Sequence, residues 1–242
     1  MKITILTLFP EMFNNFKTTS IIKRAINNDH VKINVVDIRD YTDDPHKKVD
    51  DKPYGNQYGM IMTLQPVVSA IRAHKQDNTH VILTSAKGNV LKQSHVRELA
   101  TNYDDIIIIC GHYEGIDDRI EHYIDEQISI GDYIITGGEL SSMIISDAII
   151  RVLDGVITSE THLDESYENN LLEYPQYTKP RNFEGHEIPE IIVSGHHENI
   201  RKYNLKESLR LTLNKRPDLL ENRIFTKEEN KLLKEVIEEN NE

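Results

Sequence analysis

Two stretches concentrate the residues best able to do chemistry. They are C-G-H-Y-E-G-I-D-D-R at Cys110–Arg119 and I-S-I-G-D-Y-I-I-T-G-G-E-L at Ile128–Leu140. Glycine lets backbone N–H and C=O groups approach a flat ligand without a Cβ in the way. Glu114 puts a carboxylate between Gly111 and Gly115, where it can meet a ligand or make a structural hydrogen bond. Tyr113 and Tyr133 offer ring faces that favour a cation, and core packing accounts for them as well. Arg151 lies one helical turn beyond Asp147. That spacing suits a routine ion pair, and an always-charged guanidinium also suits a developing anion. His112, His122, His196 and His197 have neither cysteine partners nor an i,i+4 histidine beside an acid, so packing or surface roles are expected and no metal site is.

The elements that must position these groups alternate. Short apolar runs at Ile3–Leu8, Lys32–Asp37, Val81–Ser85, Ile106–Cys110 and Tyr133–Thr136 predict strands. Helical patterns at Pro10–Asn27, Gln65–His74, Ser94–Asn102 and Glu139–Leu153 fall between them. Alternation of this kind predicts an α/β fold with a mostly parallel sheet and helices on both faces. Ligands in such sheets sit beyond the carboxyl ends of strands. Loops at Ala86-Lys87-Gly88, Gly111–Gly115 and Gly137-Gly138 occupy three such ends. No G-x-G-x-x-G follows the first strand, which argues against an ordinary dinucleotide-binding fold. Glu139–Leu153 is apolar on more than one stripe, which fits either a helix shared with a second copy or a fully internal one.

The chain has 242 residues and a formal net charge of −12. That charge argues against indiscriminate nucleic-acid binding, though Ser194–Pro217 carries a local basic cluster. A single cysteine excludes an internal disulfide. No apolar run is long enough for a bilayer. The apolar start ends at Pro10-Glu11 with no small-residue cleavage site, so it does not read as a secretion signal and a cytoplasmic location is expected. Val156–Glu173 is acidic and poor in apolar residues, as a linker would be. Thr226 with Glu229 forms a capping box for a last helix at Lys227–Glu239. The expected division is a ligand-binding domain at 1–158, a flexible acidic linker at 159–173 and a small, mainly helical C-terminal domain at 174–242.

Six segments together resemble the bacterial tRNA (guanine-N1)-methyltransferase family over essentially the whole chain. They are L-T-L-F-P-E-M-F at Leu6–Phe13, V-D-D-K-P-Y-G at Val49–Gly55, G-H-Y-E-G-I-D-D-R at Gly111–Arg119, I-G-D-Y-I-I-T-G-G-E-L at Ile130–Leu140, P-Q-Y-T-K-P-R at Pro175–Arg181 and S-G-H-H-E-N-I at Ser194–Ile200. The resemblance implies a trefoil-knotted methyltransferase domain that binds S-adenosylmethionine in a bent form. It also implies an obligate homodimer that shares its tRNA site between subunits, and a C-terminal domain that contacts tRNA. The implied product is 1-methylguanosine on the 3′ side of the anticodon, with Mg2+ supporting activity.

Residue roles follow from the same resemblance. Leu83, Thr84, Ser85, Gly111, Tyr113, Ile130, Gly131, Asp132, Tyr133, Ile134, Ile135, Gly137, Gly138 and Ser141 are the implied cofactor-binding residues. Arg151 is implied to support guanine O6 and Glu114 to help recognise guanine. His196, His197, Arg201 and their basic neighbours are implied to meet RNA. The family's general base is an aspartate in a D-S-F-like triplet; here the triplet is Glu165-Ser166-Tyr167, preceded by Asp164, and either acid can fill the role. A second departure is Pro53-Tyr54-Gly55-Asn56-Gln57-Tyr58-Gly59-Met60, where two family glycines are Asn56 and Gln57. Ala86, Ser141 and Asp154 each stand where the family has proline. These departures mark a divergent member and leave two alternatives to the enzyme: a tRNA- or cofactor-binding paralogue, or a knotted methyltransferase with a changed RNA target.

Overall fold

The computed structural model describes residues 1–55, 58–157, 165–221 and 223–240. Its first part contains β1 (Lys2–Thr7), β2 (Lys32–Asp37), β3 (Asp50–Asp51), β4 (Ile61–Met62), β5 (His80–Val90), β6 (Asp105–Cys110) and β7 (Glu126–Ser129). The helices there are α1 (Asn14–Thr18), α2 (Ser20–Asn27), α3 (Leu64–His74), α4 (Gln93–Asn102) and α5 (Gly138–Arg151). Five strands form one parallel sheet in the order β2-β1-β6-β5-β7. β3 and β4 pair separately and antiparallel.

The apolar run of β6 explains its place. Asp105–Cys110 is buried throughout, as expected for a parallel strand covered on both faces. Its side chains alternate between two cores. Ile106 and Ile108 join Ile22, Val96, Leu99, Ile145 and Ile149 from α2, α4 and α5. Ile107 and Ile109 join Val67, Val68 and Ile71 of α3 on the other face.

Two expectations need correction. Tyr133–Thr136 is not a strand; it lies in the loop before α5, and Ile134 is 84% exposed. The fifth strand is Glu126–Ser129, an edge strand with polar residues that hide its pattern. Pro10–Asn27 is not one helix. A 3-10 turn at Pro10–Phe13 precedes α1, and Thr19 leaves helical geometry at φ −122 and ψ 153 before α2 begins. The hydroxyls of Thr18 and Thr19 donate to the carbonyls of Asn14 and Asn15 at 2.8 and 2.7 Å. Such back-bonding competes with helix continuation.

β5 does not run straight along β7. Ile128 is the register partner of both Thr84 and Asn89. Residues Ser85–Gly88 therefore arch away from the edge strand at its carboxyl end. A Cβ on Gly88 would sit 2.5 Å from the carbonyl carbon of Gln127, so only glycine lets the arch close onto β7.

The chain divides into two compact units, Met1–Ser159 and Glu160–Glu242. The second holds the hairpin β8 (Asn182–Phe183) and β9 (His186–Glu187), then α6 (Glu190–Val193), α7 (His197–Lys215) and α8 (Lys227–Asn240). Leu171, Leu209 and Leu232 form its small core. The expected capping box is present: Glu229 Oε2 accepts from the Thr226 N–H at 2.7 Å, and Thr226 Oγ1 accepts from the Glu229 N–H at 3.2 Å. No described helix is long and apolar enough to cross a membrane.

Charge pairing dominates the α7–α8 surface. Arg201 meets Glu198 and Glu228, Lys206 meets Glu235 and Glu239, and Arg210 meets Glu207 and Glu239. The guanidinium of Arg201 holds the Glu198 carboxyl down to about 2. Lys206 and Arg210 hold Glu239 below its ordinary value. Folded values below unfolded ones mean a contribution that is intact above about pH 4.5 and is lost as pH falls toward the folded values. The melting temperature of this helical unit, followed by circular dichroism, is expected to drop below about pH 4.5. A Glu198→Gln, Glu239→Gln variant should show a shallower drop. An unchanged slope would remove these pairs as its cause.

Candidate active site

The carboxyl ends of β5, β6 and β7 open into one cleft of about 320 Å3, within the usual size range of small-molecule sites. Its walls are the end of β5 with its arch, the loop Gly111–Ile116, and the loop from Ser129 to the start of α5. Backbone contacts hold these walls together. The Gly138 N–H donates to the Gly111 carbonyl at 2.7 Å, and His112 bridges to Gly137. Thr84 Oγ1 donates to the Ile109 carbonyl at 3.0 Å and accepts from the Gly111 N–H at 3.4 Å. The Tyr133 N–H donates to the Gly131 carbonyl at 2.9 Å, and Gly131 takes φ +146 beneath the Tyr133 ring.

Beneath the glycines lies a polar anchor. Glu139 is buried and accepts from Thr7 Oγ1 at 2.8 Å. Ser142 Oγ donates to the Glu139 carbonyl at 2.8 Å, and the Cys110 thiol donates to Ser142 Oγ at 3.3 Å. Burial pushes the Cys110 thiol well above its ordinary value, so it stays protonated and serves as packing rather than as a nucleophile.

Of the residues expected at a cofactor site, Leu83, Thr84, Ser85, Gly111, Tyr113, Ile130, Gly131, Tyr133, Ile134, Ile135, Gly137, Gly138 and Ser141 all line this cleft. Asp132 does not line it, although its neighbours do. Glu114 lines it, and its N–H donates to the Met60 carbonyl at 3.0 Å. The Met62 N–H likewise donates to the Gly115 carbonyl at 2.9 Å, so this loop is tied to β4. Asn56 and Gln57 lie outside the described residues. Gly55 and Gly59 flank them at φ +85 and +88, and the Glu114 side chain packs where a Gly59 Cβ would stand.

Arg151 and Glu165 are not among the residues that line the cleft. Arg151 ends the fourteen-residue helix α5, whose first residue is a glycine in the cleft. At about 1.5 Å per residue this is roughly 20 Å, more than an arginine side chain can reach. Arg151, itself half-buried, lies on the same helical stripe as Leu140 and Ile144, which are 50% and 48% exposed. Glu165 belongs to a turn in the second unit, where its carbonyl accepts from the Glu168 N–H at 3.3 Å. That turn is fixed to α7 through the Leu172 N–H, which donates to Thr212 Oγ1 at 2.8 Å. Asp164 lies outside the described residues.

Several lining residues were given no site role from the sequence: Lys87, Asp118, Glu121 and Gln127. Their one signal was the strand-end loop at Ala86-Lys87-Gly88. Recognising the rest required the edge strand β7. A second hollow, of about 740 Å3, lies against Tyr54, Arg72, Arg119 and Tyr123 and shares Asp118 with the first.

A parallel α/β sheet with a cleft built from glycine backbone at its carboxyl end places the candidate ligand site in the first unit. Residues 1–222 match the family described as tRNA (Guanine-1)-methyltransferase TrmD. A tRNA (guanine-N(1)-)-methyltransferase of Ureaplasma urealyticum is 51% identical over 227 residues, covering 94% of this chain and 100% of the relative. One from Clostridium botulinum is 51% identical over 237 residues, covering 97% and 98%. One from Spiroplasma kunkelii is 47% identical over 235 residues, covering 97% and 88%. The chain belongs to the tRNA (guanine-1)-methyltransferase family.

Proposed function

We propose that the protein methylates N1 of the guanosine on the 3′ side of a tRNA anticodon, using S-adenosylmethionine bound in the glycine-built cleft. The convergence of Gly111, Gly131, Gly137 and Gly138 on one cleft carries this assignment. A lining made largely of backbone fits a purine and ribose, and the Tyr113 and Tyr133 rings fit a sulfonium. The donor supplies an already activated methyl group. The protein's own task is then to place guanine in line with it and to accept the N1 proton. Glu165 or Asp164 takes that proton, Arg151 faces the negative charge that develops on O6, and Glu114 contacts the base edge. Among the described residues no three acids or histidines converge as a metal cradle.

Because Arg151 is remote from the cleft of its own chain, we place it opposite the cleft of a second copy in a homodimer. The exposed Leu140–Ile144 stripe that it shares supports that face as the contact. A trefoil knot around the cleft, a cytoplasmic location and tRNA contact by the second unit complete the assignment.

The test is methyl incorporation from labelled S-adenosylmethionine into unmodified tRNA, beside a tRNA with that guanosine replaced. Transfer that depends on the guanosine is the expected result. No transfer, with donor and tRNA both bound, would instead favour a binding paralogue. Transfer to both tRNAs would favour a changed target.

A further inference from the structure

Charged side chains also line the mouth of the cleft. Lys87 is the one lysine or arginine that lines the cleft among the described residues; Glu114, Asp118 and Glu121 are its acids. Glu121 Oε1 already accepts from Gln127 Nε2 at 3.0 Å. Lys87 Nζ lies 3.3 Å from Asp118 Oδ1, with both side chains 78% exposed. An ion pair so exposed is weak and exchanges readily.

The backbone that carries Lys87 is fixed. Its N–H donates to Ser85 Oγ at 3.2 Å. On its other side Gly88 is seated against the Gln127 backbone. The arch of β5 thus delivers one ammonium group to a defined point on the cleft rim, opposite one carboxylate. A lysine and an acid facing each other across a rim match a zwitterion of the amino-acid type. Each charge of the ligand can replace one charge of the existing pair, turning one weak ion pair into two.

We propose that Lys87 binds the α-carboxylate of the donor's amino-acid tail and that Asp118 receives its α-ammonium group. This rests on the assignment of the cleft to S-adenosylmethionine. It adds a tail-recognising pair that distinguishes ligands with and without the amino-acid group. Arginine keeps the charge and the donors, so Lys87→Arg should bind nearly as the native protein does.

The experiment is titration calorimetry of the full chain with two ligands. S-Adenosylhomocysteine carries the zwitterionic tail; 5′-methylthioadenosine keeps the adenosine and thioether but lacks the tail. Lys87→Gln is expected to weaken S-adenosylhomocysteine about fivefold and to leave 5′-methylthioadenosine unchanged. Unchanged binding of the second ligand also shows that the cleft is intact. Asp118→Asn should act in the same direction. Equal weakening of both ligands by Lys87→Gln, or of neither, overturns the role of Lys87. Tighter binding by Asp118→Asn would make Asp118 a competitor of the ligand and overturn its role. If neither ligand binds the native protein, the donor assignment itself fails, and the tail pair with it.

Discussion

Arg151→Ala is expected to slow methyl transfer about 100- to 1,000-fold, the usual effect of removing a donor from a developing anion, while donor affinity stays within about twofold. The two effects separate because α5 holds its ends apart. Gly138 starts the fourteen-residue helix in the cleft, and Arg151 closes it at the far end. Calorimetry with S-adenosylhomocysteine and single-turnover transfer read the two ends independently. Loss of donor affinity equal to the loss of rate would contradict the role given to Arg151. The same separation allows a mixing test. In a random mixture of two inactive variants, one lacking a working cleft and the other lacking Arg151, half of the dimers contain both kinds of subunit. Each mixed dimer keeps one intact cleft facing one intact arginine if the arginine acts across the interface. About a quarter of native activity should return. If Arg151 acts within its own chain, the mixture stays inactive.

Gly138→Ala is expected to supply the cleft-deficient partner for that mixture, with donor affinity reduced by at least about 100-fold and stability reduced by about 1–3 kcal/mol. A Cβ at this position would lie 2.1 Å from Thr84 Oγ1, 2.8 Å from the Cys110 Cα and 2.8 Å from the Gly111 nitrogen. The threonine hydroxyl can rotate. The other two atoms are backbone at the buried end of the central strand β6 and cannot retreat. The first turn of α5 must lift instead, breaking the 2.7 Å bond from Gly138 to Gly111 that joins two walls of the cleft. Thermal unfolding and donor titration of the variant check both parts. Native affinity at a native melting temperature would show that the walls can separate without loss.

The parts of the fold legible in the sequence were those with strong periodicity and matching burial. Asp105–Cys110 reads as a doubly covered strand and is one. Gln65–His74 and Ser94–Asn102 lie within one residue of their observed starts. The errors have physical causes. Glu126–Ser129 has one strand neighbour and carries Glu126 and Gln127, so nothing in its composition marks a strand. Tyr-Ile-Ile-Thr at Tyr133–Thr136 is apolar because it lines a cleft, not because it pairs in a sheet. The glycine-rich walls were legible because glycine is required where backbones touch, as at Gly138. The loop that carries Lys87 was legible as a strand end, but its pairing with Asp118 was not, because the arch of β5 that delivers it is a bulge and leaves no periodic signal.

The paired cations of α7 also set how this acidic protein can meet a polyanion. In ordinary nucleic-acid binding, free lysines and arginines displace condensed counterions, and their release into dilute salt drives association. On α7, Arg201, Lys206 and Arg210 already face carboxylates. A phosphate that engages them must displace a tethered glutamate, which is not released to solution and contributes no mixing entropy. A polyanion that bound through this helix would therefore do so with a weaker dependence on ionic strength than its number of basic residues implies. Such binding would favour shapes that can open several of these pairs at once.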